Sequence, residues 1–134
     1  MDERLRADLI ALSREIHDAP ELAYHELKAV AAIERLLAKY GHTTERPYGG
    51  LETAFRSRIG PKTGPFVALL AEYDALPDVG HGCGHNLIAM SNVGAFLLAA
   101  QQSTDLQIGI ELIGTPAEEN GGGKLDLLDA GVFA

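Results

Sequence analysis

The segment from residue 66 to residue 114 constrains the fold more than any other. FVALLAEY (66–73) is an apolar run of strand length, and the stretch from Leu87 to Gln102 is long, apolar and rich in small residues. LQIGIELIG (106–114) then alternates Leu106, Ile108, Ile110 and Leu112. In that order the three segments read as strand, helix, strand. Two strands joined through a helix are expected to lie parallel in one sheet. Loops that follow parallel strands leave the sheet at the same edge, where ligands of open α/β sheets collect. The loop AEYDALPDVGHGCGHN after the first strand and the loop TPAEENGGG after the second are therefore expected to meet.

The rest of the chain supplies covers for that unit. Leu5, Leu9, Leu12 and Ile16 share one helical face. That helix should stop by Ala19, because the residue before Pro20 is pushed out of the helical region. A second helix carries Leu27, Val30, Ile33, Leu37 and Tyr40 on one stripe, with Gly41 as its C-terminal cap. Residues 52–59 alternate and IGPKTGP supplies turn residues before the run at 66–73. This pattern predicts a hairpin whose second strand is buried on both faces. Asn86 stands where the N-cap of the third helix belongs, and GKLDLLDAG starts a further helix. The fold class expected is α/β, a three-layer α/β/α arrangement around a mixed, largely parallel sheet. There is no internal repeat and no low-complexity linker.

Composition narrows the function. At 134 residues and 46% hydrophobic content the chain can bury a core of its own. No apolar run approaches the ~20 residues that span a bilayer. The N-terminus MDERLRADLI has no signal-type apolar segment, so a cytoplasmic location with no membrane partner is expected. A net charge of −8, with 11 Lys and Arg scattered singly, argues against nucleic acid as a partner. A single cysteine excludes an intramolecular disulfide and fits a reducing compartment.

That cysteine, Cys83, stands two residues from His85 in the glycine-rich HGCGHN. Alone, such a pair occurs in ordinary turns, and adjacent acids such as Glu118 and Glu119 are usually solvated surface. Their convergence changes the reading. A thiolate, an imidazole and two carboxylates repel one another unless a cation joins them. Sulfur and nitrogen donors favour a divalent transition metal over magnesium or calcium. The helix N-terminus after His85 is expected to help ionise Cys83. Neighbouring glutamates in an irregular loop point different ways, so one can bind metal while the other shuttles a proton. Metal-bound water has a pKa near 7, and the combination is that of hydrolysis at an amide carbonyl.

Other residues receive blander readings. His81, between Gly80 and Gly82, reads as a mobile loop residue outside the ligand set. His17 and His25 are expected far from the loop edge, and His42, just past a helix cap, is expected to be exposed. Gly121 to Lys124 does not make a phosphate loop, because the earlier glycine is missing and Leu125 replaces the Ser or Thr. Those glycines instead let the backbone turn tightly beside the carboxylates. Tyr73 reads as core.

Taken together, AEYDALP, HGCGHN and GTPAEENGGGK, preceded by the H-x-x-P-E segment from His17 to Glu21, resemble the aminoacylase and carboxypeptidase-G type of metallopeptidase. The nearest resemblance is to its amidohydrolase branch, in particular aminobenzoyl-glutamate hydrolases and β-alanyl dipeptidase-like members. Asn86 and Ile88 stand where many of the branch have an aspartate and a second histidine, which points to that subgroup. The resemblance implies two divalent metals, zinc or manganese first, sharing a bridging ligand. It assigns the bridge to Cys83, a terminal ligand to His85, a metal carboxylate to Glu119, the general base to Glu118 and a supporting acid to Asp74. It implies hydrolysis of amide bonds in N-acyl amino acids, dipeptides or aryl-amide conjugates by enzymes that are commonly homodimeric. Residues 1–134 match roughly the first third of a typical member, the amino-terminal portion of its catalytic domain. Two further histidine ligands and an inserted dimerisation domain lie outside the match. With its ligand set incomplete, the chain alone is expected to be inactive. Two alternatives stand beside this: a non-catalytic fragment used as an interaction module, and Cys83 as a thiol nucleophile. The second lacks a further His, Asn or Asp clearly placed to orient His85 as a base.

Overall fold

The computed structural model describes residues 1–102 and 105–134. Helix α1 (Glu3–Asp18) starts where Asp2 accepts the Leu5 N–H at 2.7 Å, and it ends at Ala19, before Pro20. Helix α2 (Leu27–Lys39) ends at Tyr40, followed by Gly41 at φ 83°. Its buried face comprises Ala29, Val30, Ala32, Ile33, Leu36 and Leu37. Leu27, expected on that stripe, is 51% exposed at the open first turn of the helix.

The strands β1 (Phe55–Ile59), β2 (Phe66–Ala71) and β3 (Gly109–Gly114) form one sheet in the order β1-β3-β2. The expected hairpin is not there. β3 inserts between the other two, antiparallel to β1 (Phe55 opposite Gly114) and parallel to β2 (Phe66 opposite Gly109). Burial follows the order. Leu112 and Ile113 of the central strand are fully buried, whereas β2 lies at an edge with Val67 47% exposed. Burial on both faces thus belongs to β3 rather than to β2. Alternation followed by turn residues marks two strands, but it cannot show that a third will come between them.

The β2–helix–β3 unit stands as expected, with its strands parallel. Helix α3 (His85–Gln102) begins two residues earlier than predicted, so Asn86 lies inside it and is not its cap. The Asn86 amide instead donates to Ser13 Oγ at 2.9 Å, fastening α3 to α1. Gly94 permits the close approach of the two helices, since a Cβ there would lie 2.9 Å from Leu9 Cδ1.

Alternation along the strands sorts the core into two. Leu69, Ile110 and Leu112 pack with α1, α2 and α3 on one face. Ala68, Leu70 and Ile113 pack on the other with Leu127 of α4 (Gly123–Asp129). The result is the expected three-layer α/β/α arrangement around a mixed sheet. Among the described residues no helix is long and apolar enough to cross a membrane. His42 is half-buried rather than exposed, with its ring edge-on to Phe96 at 5.3 Å, because the chain folds back over α3 after Gly41.

Candidate metal centre

Past the end of β2 the chain stays extended through Glu72, Tyr73 and Asp74, and alternation divides these residues between two sides. Tyr73 goes into the core, fully buried, with its hydroxyl donating to the Thr53 carbonyl. Glu72 and Asp74 go the other way, toward the N-terminus of α3. Asp74, 2% exposed, uses both carboxylate oxygens. One accepts from Nδ1 of His85 at 2.8 Å and the other from the N–H of Glu119 at 2.9 Å. A single buried carboxylate thus joins the first residue of α3 to the loop after β3.

Because Nδ1 donates to Asp74, the Nε2 of His85 is left as a lone pair facing outward. It meets only carboxylates: Glu72 at 3.4 Å, Glu119 at 3.7 Å and Glu118 at 3.8 Å. An acceptor ringed by acceptors is repulsive unless a cation lies among them. One ligand atom each from His85, Glu118 and Glu119 lie within 4.8 Å of one another. Donors held about 2.1 Å from a tetrahedral metal are about 3.4 Å apart, close to the spacings from Nε2. These residues therefore fit a divalent cation, as a partial ligand set. Among the described residues the one cationic side chain at the cluster is Lys124, paired with Glu72 and 4.0 Å from Glu118.

The loop bearing the glutamates is fixed at several points. Thr115 N–H donates to Ala71 O at 2.8 Å, and Ala117, fully buried, adopts φ 56°. Glu118 emerges with its side chain 40% exposed, and Glu119 follows at 24%. Gly122 at φ 76° then turns the chain into α4, the tight turn expected of that glycine run.

Cys83 is exposed and stands outside the group of converging ligand atoms. Its thiol pKa is pushed up, first by hydrogen bonding to Glu119, then by burial and the charges of Glu119, Glu118 and Asp74. Assistance from the helix N-terminus was expected to ionise it, but adjacent carboxylates outweigh a partial positive charge. A raised thiol also argues against the nucleophile reading. His81 is half-buried and outside the group, and burial is the main cause of its lowered pKa. Its ring centre is 6.3 Å from that of His17, so His17 is nearer the loop edge than its helix suggested.

Sequence reasoning missed Glu72, Lys124, Tyr24 and Glu26. Glu72 was legible, since it stands two residues before Asp74 on an extended segment. Lys124 follows Glu119 closely but reads in the sequence only as part of a phosphate-loop candidate, while Tyr24 and Glu26 reach the site from far up the chain, where nothing local marks them.

Known proteins resemble this chain in sequence and fold. The Xaa-Arg dipeptidase of Mus musculus is 47% identical to this chain, covering 92% of it and 32% of the dipeptidase. Thermostable carboxypeptidase 1 of Saccharolobus solfataricus is 39% identical, with 93% and 36% covered. Among solved structures, a Bacillus subtilis protein described as a dinuclear metal-binding peptidase of the M20 family superposes with a TM-score of 0.87. It is 29% identical, over 98% of this chain and 41% of its own. The chain is similar to the amino-terminal part of M20-family metallopeptidases. It spans about a third of the length of these curated relatives and matches their amino-terminal part. No protein-family model matches the chain. These relatives are named as a dipeptidase and a carboxypeptidase, and the partial ligand group of this chain sits where the loops after β2 and β3 meet.

Proposed function

We propose that this chain forms part of an amidohydrolase that cleaves N-acyl amino acids, dipeptides or aryl-amide conjugates, with zinc or manganese as its metal. The observation that carries this reading is the His85 Nε2 facing three carboxylates, Glu72, Glu118 and Glu119, with no donor among them. The dipeptidase and carboxypeptidase activities named for its relatives give the reaction class.

In this reading His85 and Glu119 would hold metal, and Cys83 at the rim would serve as a further ligand. Asp74 keeps the imidazole aimed and basic, as a carboxylate behind a ligating histidine does. When bound, the metal supplies Lewis acidity toward the substrate carbonyl and a water of lowered pKa. Glu118 is the more exposed glutamate, placed to take a proton from water and return it to the departing amine. Its neighbour, with its N–H held by Asp74, has the less freedom to move. The further ligands, the substrate contacts and the dimer contacts are assigned to the part of the family's length that this chain does not span. The single cysteine favours a reducing compartment such as the cytoplasm.

Thermal unfolding with and without zinc or manganese tests the reading. Metal at about a hundredfold excess over its dissociation constant should add roughly 2–3 kcal/mol of stability, reversed by chelator. His85→Ala and Glu119→Gln should remove most of that gain. In a full-length version, Glu118→Gln should abolish turnover while leaving metal bound. The absence of any metal-dependent shift in the wild-type chain would refute the metal centre.

A further inference from the structure

We propose that Glu26 is a positioning residue for this centre, its buried carboxylate holding the Ala117 N–H and so setting where Glu118 and Glu119 point. The inference rests on the metal-centre reading above.

Glu26 is fully buried, although it stands at the N-cap position of α2. Local capping does not explain it, because its side chain makes no cap hydrogen bond to that helix. Glu21 does that work, accepting the N–H groups of Lys28 at 2.8 Å and Ala29 at 3.0 Å. The Glu26 side chain turns away and spans 91 positions of sequence to accept the Ala117 N–H on Oε1 at 2.9 Å. A buried carboxylate is costly, and one without a role in its own helix calls for a reason elsewhere.

The recipient supplies that reason. Ala117 adopts the left-handed φ of 56°, which a non-glycine residue keeps only where its surroundings impose it. Its carbonyl is held as well, accepting from Gly122 at 2.9 Å and Gly123 at 3.1 Å. With that corner fixed, the chain passes through Glu118 and brings the Glu119 N–H back to Asp74. Glu118 therefore stands between two backbone amides, each held by a different buried carboxylate.

Tyr24 adds a second grip from the same segment. Its N–H shares the same Glu26 oxygen at 3.0 Å. Its hydroxyl lies 2.9 Å from Gly121 O and 2.7 Å from Asp126 Oδ2, beyond the glutamates. Gly121 fits because a Cβ there would lie 2.4 Å from the Tyr24 ring. The segment between the first two helices thus holds the carboxylate loop at both ends.

The test compares Glu26→Met, which keeps the length of the side chain and removes the acceptor, with Glu26→Gln, which keeps an acceptor oxygen. Amide hydrogen exchange at Ala117 and Glu119 reads the anchor, and cobalt(II) titration reads the centre. A core variant away from the loop, Leu37→Ala, controls for lost stability. In Glu26→Met both amides should exchange at least about tenfold faster and cobalt should bind at least about tenfold more weakly. Glu26→Gln should stay within about threefold of wild type on both measures. Unchanged cobalt affinity in Glu26→Met, or a loss no larger than in Leu37→Ala, overturns the proposal. If Glu26→Met does not fold, Tyr24→Phe carries the test: about threefold weaker cobalt binding supports the proposal, and none overturns it. A wild-type chain that binds no cobalt sinks the metal-centre reading, and this inference with it. Wild-type binding with an unaffected Glu26→Met sinks only the inference.

Discussion

Asp74 and His85 are joined side chain to side chain at 2.8 Å, both almost wholly buried, while the second Asp74 oxygen holds the backbone of Glu119. One residue therefore orients the imidazole and fixes the loop that carries the carboxylates. In Asp74→Asn, the amide nitrogen must face one of the two N–H donors that now share the carboxylate. Metal affinity, measured by calorimetry, should fall about 10–100-fold. Stability in urea should fall by about 1–3 kcal/mol. Unchanged metal affinity would show that Asp74 holds structure alone.

Cys83 gives a pH-dependent readout of the same cluster. Its thiol is pushed up chiefly by Glu119, so its alkylation rate should rise at a higher pH than that of an unperturbed cysteine. Glu119→Gln removes the leading cause and should move the rate profile to lower pH. Superimposable profiles for wild type and variant, recorded with iodoacetamide and no metal, would contradict the arrangement.

His42 predicts a stability change far from any metal. Burial lowers its pKa, so the folded protein takes up this proton less readily than the unfolded chain. The unfolded form then binds more protons below its ordinary value of about 6.5. The stabilisation from neutral His42 is present above that value and is lost as pH falls through the lowered folded one. Urea midpoints at pH 7.5 and 5.5 should differ less in His42→Gln than in wild type. An equal drop in both would assign the effect to other groups.

Gly123 tests the turn into α4. A Cβ there would lie 2.0 Å from the Pro116 carbonyl oxygen, which is backbone and has little room to yield. Gly123→Ala should cost about 1–3 kcal/mol through this overpacking. Gly131, at φ 75° with open space around its Cβ position, serves as the control. Gly131→Ala should cost about 1 kcal/mol from backbone conformation alone. A smaller loss at Gly123 than at Gly131 would contradict the crowding.

Much of this was legible in the sequence, and the misses have physical causes. Helical periodicity placed α1 and α2 to within a residue or two, because a buried stripe is a local property. The β2–α3–β3 unit brought His85, Glu118 and Glu119 together from element order alone. The hairpin failed because strand adjacency is decided by a segment some fifty residues downstream of β1. Glu26 was invisible for a similar reason, its partner being the backbone of Ala117 rather than any residue type with a signature. The ionisation of Cys83 was misjudged because the helix end was weighed and the acids around it were not.

The position of β3 also bears on how the protein emerges from the ribosome. Among the named strands β1 and β2 do not pair with each other, and each pairs with β3, while Arg56 of β1 also bridges upstream to Glu45. A nascent chain released as far as Gln102 can therefore coil its helices but has no strand ladder to close. Sheet assembly must await Gly109–Gly114, so β2, and the edge of β1 that Glu45 does not bridge, leave the exit tunnel without their β3 partner. Those edges are exposed to neighbouring chains on the same messenger, and pausing in translation just before Gly109 should raise aggregation more than a pause after Gly114.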